Sequence, residues 1–191
     1  MIMKKWFVVS ALLLVCSLLP AKVIDANADI GSRKNPVPIG DSYVVDATDI
    51  WGTPKSKLAI SVYGVVRGEK AATLMQSQNM FNDVPAQGYE YVIPMIMVAN
   101  LEDLEGEDEP FEVDDTVFEF ADAGYSHKKS YDFSYMMVIN EPHILDCKLY
   151  EGSYTVGLLP YMAPVNDNCY LYFQGIWFEL GTVHYLPETE G

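Results

Sequence analysis

Basic residues are scarce in this chain. Twelve Lys and Arg stand against 27 Asp and Glu, a formal net charge of −15. A surface this acidic is repelled by nucleic acid and by anionic lipid headgroups, which excludes both as partner classes. Histidine is nearly absent, with three residues, His127, His143 and His184, spread over separate stretches. The chain has no H-E-x-x-H, no G-x-S-x-G and no P-loop, so no standard catalytic constellation is present. Carboxylates abound, but abundance is not a constellation, and no enzyme is expected. Cysteine is equally sparse: three residues and no C-x-x-C pair, which removes support for thiol redox chemistry. The longest apolar run, Trp6 to Leu19, covers 14 residues. Crossing a bilayer as a helix takes about 18–20, so no permanent span is expected.

That short run belongs to an export signal. Lys4 and Lys5 precede it, and two ends are available for it: Cys16, or the small-residue site Ala26-x-Ala28. A lipobox wants a small residue before its cysteine, and Val15 stands there, with Leu18, Leu19 and Pro20 continuing the apolar run. Cleavage after Ala28 is therefore expected, giving a signal peptide over 1–28 and a single domain over 29–191, secreted or held in the cell envelope. A lipid anchor at Cys16 is the alternative. The 163 residues after the cut carry 9 bases and 26 acids, a net charge of −17, and suffice to bury a substantial core. Two cysteines then remain, Cys147 and Cys169. In an oxidising compartment they read as one disulfide, which in the chain-entropy model contributes roughly 3 kcal/mol. Two buried free thiols are the competing reading, because sequence cannot bring their Cα atoms within bridging distance.

What the sequence does contain is strand chemistry. Runs rich in Val, Ile, Tyr and Phe recur between Gly, Pro, Asn and Asp: 43–47, 58–66, 89–98, 116–120, 131–139, 144–150, 154–159 and 170–180. In the second run Leu58, Ile60, Val62 and Gly64 alternate with Ala59, Ser61 and Tyr63, so the two sets face opposite sides. Pro94, inside the third run, lacks a donor and implies an edge strand or a bulge. Residues 69–80 hold Ala71, Ala72, Leu74 and Met75 without Gly or Pro and predict one short helix. About eight strands and one helix make an all-β, immunoglobulin-like antiparallel sandwich. The aromatic C-terminal third, including Tyr161, Tyr170, Tyr172, Phe173, Trp177 and Phe178, reads as core and cross-strand pairs; as an exposed coplanar set it would instead suit carbohydrate.

Nine carboxylates crowd residues 101–115: Glu102, Asp103, Glu105, Glu107, Asp108, Glu109, Glu112, Asp114 and Asp115, with no base among them. Calcium takes several oxygen ligands, and Glu102, Asp103, Glu105, Glu107, Asp108, Asp114 and Asp115 are the candidate set. The spacing does not fit an EF-hand, and mutual repulsion equally predicts a solvated extended loop. No other cofactor is expected.

Three stretches go beyond generic strand chemistry: GSRKNPVPIGDS at 31–42, GVVRGEKAATLMQSQNMFNDVPAQGYEYVIPMIMV at 64–98, and LYEGSYTVGLLPYMAPVNDN at 149–168. In that order they resemble a bacterial family of exported proteins and lipoproteins of unknown function with a telokin-like, immunoglobulin-like sandwich, near the mycobacterial secreted immunoprotective antigens. The resemblance implies a fold and an extracytoplasmic address, and no catalytic set comes with it. The expected function is a non-catalytic module that binds a protein or cell-surface component through end loops or exposed edges. Candidate surfaces are the acidic loop 101–115 and the segment 78–88, in which Asn79, Phe81 and Asn82 stand out.

Overall fold

The structure, a computed structural model, describes residues 23–24, 30–106, 108–114, 116–124, 127–129, 137–139 and 144–186. Over these it is an all-β antiparallel sandwich with one short helix. The strands are β1 (Val23–Ile24), β2 (Ser42–Thr48), β3 (Pro54–Arg67), β4 (Tyr89–Asp103), β5 (Phe111–Val113), β6 (Glu119–Ala121), β7 (His127–Lys129), β8 (Cys147–Leu149), β9 (Tyr154–Leu158), β10 (Tyr161–Pro164), β11 (Cys169–Phe173) and β12 (Ile176–Gly181). Helix α1 (Gly68–Gln78) lies between β3 and β4. The large sheet runs β1-β2-β3-β4-β10, with β9 also on β4; the second runs β12-β11-β6-β7; β5 and β8 form a separate ribbon.

The main core lies where these layers meet. Leu58, Ile60 and Val62 of β3, Ile96 and Val98 of β4, Phe120 of β6, Leu149 of β8, and Leu171, Phe173 and Phe178 of the second sheet are all buried in it. Alternation along β3 sends Ala59 and Tyr63 to a different cluster on the opposite side, with Met97, Ala99 and Leu101 of β4. The side-chain period of two holds from Leu58 to Val62 as the sequence predicts; the bulge before Gly64 then shifts the phase, so Val65 and not Gly64 is the next residue in the main core. On the second sheet Leu171 and Phe173 face the core, while Tyr170, Tyr172 and Trp177 share the other face. Trp177 meets Tyr170 and Tyr172 edge-on, at 76° and 62°. These rings pack on one another and offer no coplanar platform for a sugar.

Pro94 sits at a bulge, not at an edge. The β3–β4 register shifts between Val62 and Gly64, opposite Ile96 and Met95, one pair away from Pro94, which faces Val65. On its other side β4 changes partners here: β10 pairs with residues 89–92 and β9 with residues 95–99. A residue that cannot donate a ladder hydrogen bond is tolerated where the ladder is already broken.

Three further expectations are corrected. The run 170–180 is a hairpin, because Gln174 (φ 42°) and Gly175 (φ 93°) turn the chain between Phe173 and Ile176; two consecutive left-handed residues suit the right-handed strand twist. The short strands β5 and β10 carry too few residues to show a period; β5 lies inside the stretch read as an acidic loop. Helix α1 stops at Gln78, since Asn79 is extended (φ −153°, ψ 119°) and its N–H bonds Met75 O. Most of the run 131–139 lies outside the described residues.

The Pro-rich lead-in is stitched to the sandwich. Val37 N–H donates to Trp177 O at 2.7 Å, Glu179 N–H to Val37 O at 2.9 Å, and Trp177 N–H to Gly31 O at 2.8 Å. Gly31 has φ +97°, and a Cβ there would stand 2.9 Å from the ring of buried Tyr43. Only glycine meets both demands.

The expected disulfide is not formed. Cys147 lies on β8 opposite Val113, in the ribbon, and Cys169 begins β11 in the second sheet; both are free thiols. Cys169 is buried, its Sγ 3.5 Å from Asp167 O. Burial pushes its thiol up to about 12.

Candidate functional site

The long strands carry two loop systems to opposite ends. At roughly 3.3 Å per residue, the 14 residues of β3 separate them by roughly 40–45 Å. At one end α1 and the segment 79–88 lead into β4. At the other, the β2–β3 turn meets the acidic segment after β4.

The first end is built around Asn82. Although expected at the surface, its side chain is 3% exposed. Its amide nitrogen donates to Met75 O (2.7 Å) and Val138 O (2.9 Å), and its amide oxygen accepts from Val138 N–H (2.7 Å). Its own carbonyl accepts from Gln76 Nε2 at 3.1 Å. A buried amide with its donors and acceptor engaged fixes the segment to the last turn of α1 and to residue 138. Asn79 holds the approach, its Oδ1 accepting from Phe81 N–H at 3.0 Å. Tyr91, itself buried, donates its hydroxyl to Asp83 O, and desolvation raises that phenol to about 12, with the Asp83 charge adding to the effect.

With the backbone held this way, Met80 (74% exposed), Phe81 (71%) and Val84 (79%) project into solvent. Beside them runs a mostly apolar groove of about 330 Å³, lined by Ala72, Thr73 and Gln76 of α1, by Val84 and Pro85, and by Tyr91. Of the three residues singled out in sequence, Phe81 is the contact candidate, while Asn79 and Asn82 position it. Sequence placed Met80 and Val84 inside the candidate segment 78–88 without singling either out; an apolar residue among Asn, Asp and Pro looks like filler until its exposure is known.

The second end disperses the carboxylates that were candidates for calcium. Glu102 pairs with Lys57 at 2.8 Å, and Glu105 bonds Lys55. Asp103 accepts the N–H groups of Glu105 (2.9 Å) and Asp108 (2.8 Å), and Asp114 accepts from Thr116 N–H at 2.8 Å. Glu107 and Asp115 lie outside the described residues. Among the described residues no three His, Cys, Asp or Glu converge to hold a metal. The described acids act as local turn caps and ion-pair partners. Of the histidines, His143 lies outside the described residues, and His184 sits half-buried near the C-terminus with its pKa lowered, by desolvation first and by Lys70 second.

At the α1 end a buried ion pair ties the two sheets together. Arg67, at the end of β3, bonds Glu90 at 2.9 Å and donates to Gly181 O on β12. Glu90 also accepts from Asn166 N–H at 3.0 Å. One guanidinium thus links both sheets below α1.

No protein-family model matches the chain, and no curated protein matches it. A solved structure of a Bacillus subtilis lipoprotein candidate, ycdA, is similar at a TM-score of 0.45 and 10% identity, over 65% of this chain and 36% of that one. A likeness of that size establishes no shared function. Among the described residues no helix is long and apolar enough to cross a membrane. The telokin-like resemblance gains no support from these comparisons, and what stands is the coarser statement: an all-β antiparallel sandwich.

Proposed function

We propose that this chain is a non-catalytic binding module, working outside the cytoplasm, whose contact surface is the segment 79–88. The observation that carries this reading is Asn82: its buried amide network holds rigid a loop whose Met80, Phe81 and Val84 are left in water. Exposing three large apolar side chains on a prearranged backbone lowers the ordering cost of binding and favours a hydrophobic contact. The adjoining groove gives a partner side chain somewhere to seat. Export rests on the N-terminal signal, and the partner class is a protein or cell-surface component.

The test compares fluorophore-labelled wild type with a Met80→Ser/Phe81→Ser/Val84→Ser variant for binding to intact cells of the producing organism, by flow cytometry. Saturable binding by wild type, at least about tenfold weaker in the variant at unchanged Tm, supports the reading. Equal binding by the two proteins refutes it.

A further inference from the structure

The other end of the sandwich holds a larger opening that this reading leaves unused. A cleft of about 800 Å³ lies between the β2–β3 turn, the segment after β4 and the start of β5. Three independent devices hold its walls. Asp49 accepts N–H groups from Trp51 (2.8 Å) and Thr53 (2.9 Å), fixing the turn; its carboxyl is lowered, chiefly by the Thr53 hydrogen bond. Lys55 bonds Glu105 and lies 3.8 Å from Asp49, joining the turn to the segment after β4. Gln174, on the β11–β12 turn, exchanges two 2.8 Å hydrogen bonds with the backbone of Thr48.

On this braced frame Trp51 is 85% exposed, and Ile50 beside it is exposed too. A tryptophan at a turn tip with its ring in water gains nothing for the fold, since fully exposed apolar area contributes no burial. Four acids line the cleft, Asp49, Glu105, Glu109 and Glu112, against one lining base, Lys55, which engages Asp49 and Glu105; Lys148, outside the lining, pairs with Glu112 at 2.8 Å, so the cleft keeps a net negative charge with Glu109 its least engaged carboxylate. Phe111 and Val117 supply an apolar floor. An indole face beside carboxylates attracts a cation twice over, through the ring quadrupole and through charge.

We propose that this cleft binds a basic segment of a partner protein, an arginine or lysine lying on Trp51 among the carboxylates with a neighbouring apolar side chain against Ile50. The site is separate from the apolar loop at the far end and uses different chemistry.

A fluorescein-labelled octapeptide of alternating Arg and Leu serves as the probe, titrated with the full exported chain and read by anisotropy. Trp51→Ala weakens binding about fivefold or more, and Glu109→Gln/Glu112→Gln does so by a similar factor. Two controls separate this site from general attraction to an acidic protein. Asp41→Asn/Glu69→Gln, which removes two charges away from the cleft, leaves affinity unchanged. The Met80/Phe81/Val84 serine variant also binds the peptide normally, so failure here and failure of the loop reading are distinguishable. The proposal is overturned if the distant double variant weakens binding as much as the cleft double variant, if Trp51→Ala binds like wild type, or if no saturable binding occurs.

Discussion

Ile24 offers the sharpest check on how this sandwich is closed. It forms β1 with Val23, paired in parallel to Ser42 and Tyr43, and is 3% exposed within the main core. Val23, its neighbour, is 37% exposed. Replacing a buried isoleucine by alanine removes its transfer free energy and leaves a cavity, together about 2–5 kcal/mol. An edge strand of two residues can settle inward, so the lower half of that range, about 2–3 kcal/mol, is expected for Ile24→Ala. For a chain of this length each kcal/mol shifts Tm by about 2–4 °C, giving a drop of roughly 4–12 °C. Val23→Ala, at the more exposed of the two positions, should stay within about 1 kcal/mol of wild type. The assay is thermal melting by near-ultraviolet circular dichroism on chains beginning at Ala21, with a chain beginning at Asp29 alongside. The Asp29 chain lacks Ile24 altogether and should melt below the Ala21 chain. Equal melting of Ile24→Ala, Val23→Ala and wild type would refute the argument that β1 closes the core. The intact mass of the exported protein bears on the same point, because cleavage after Ala28 removes β1 and cleavage at Cys16 keeps it.

The remaining predictions concern the thiols, the buried ion pair and the half-buried histidine. With both cysteines free and Cys169 buried with its thiol at about 12, an alkylating reagent at neutral pH should leave Cys169 unmodified until the protein unfolds, whereas half-buried Cys147 reacts first; an intact mass 2 Da low, restored by reduction, would show a disulfide instead. Glu90→Ala strands Arg67 with its side chain 2% exposed, and should cost about 3–5 kcal/mol in urea denaturation; a loss below 1 kcal/mol would mean that the pair is solvent-screened. His184 has its pKa lowered in the folded chain, so the unfolded chain binds its proton more readily. Its contribution is therefore present above the ordinary histidine value and is lost as pH falls through the lowered one. His184→Gln should flatten the fall in Tm between about pH 7 and pH 5, and an unchanged slope would remove His184 as its source.

Much of the architecture is legible in the residues because it depends on local period and local chemistry. Alternation along 58–62 assigns the two faces of β3, the spacing of apolar runs by Gly, Asn and Pro gives an all-β sandwich, and the helix formers within 69–80 place the helix to within two residues of its end. Pro94 announces a break in a ladder, since a missing donor is a property of the residue itself. Tertiary structure alone decides which groups meet. Whether Cys147 and Cys169 bond depends on the ladders that β8 and β11 join, and partners distant in sequence set those. That Lys55, Lys57 and backbone N–H groups engage Glu105, Glu102, Asp103 and Asp114 of the acidic stretch 101–115 is likewise set by the fold. Asn82 and Phe81, two neighbours of similar promise in the sequence, part company completely: one is sealed beneath residue 138, the other stands in water. Trp51 drew no notice among the turn residues of 49–54. Its significance is an exposure, and exposure is a property of what surrounds a residue, which no local stretch contains.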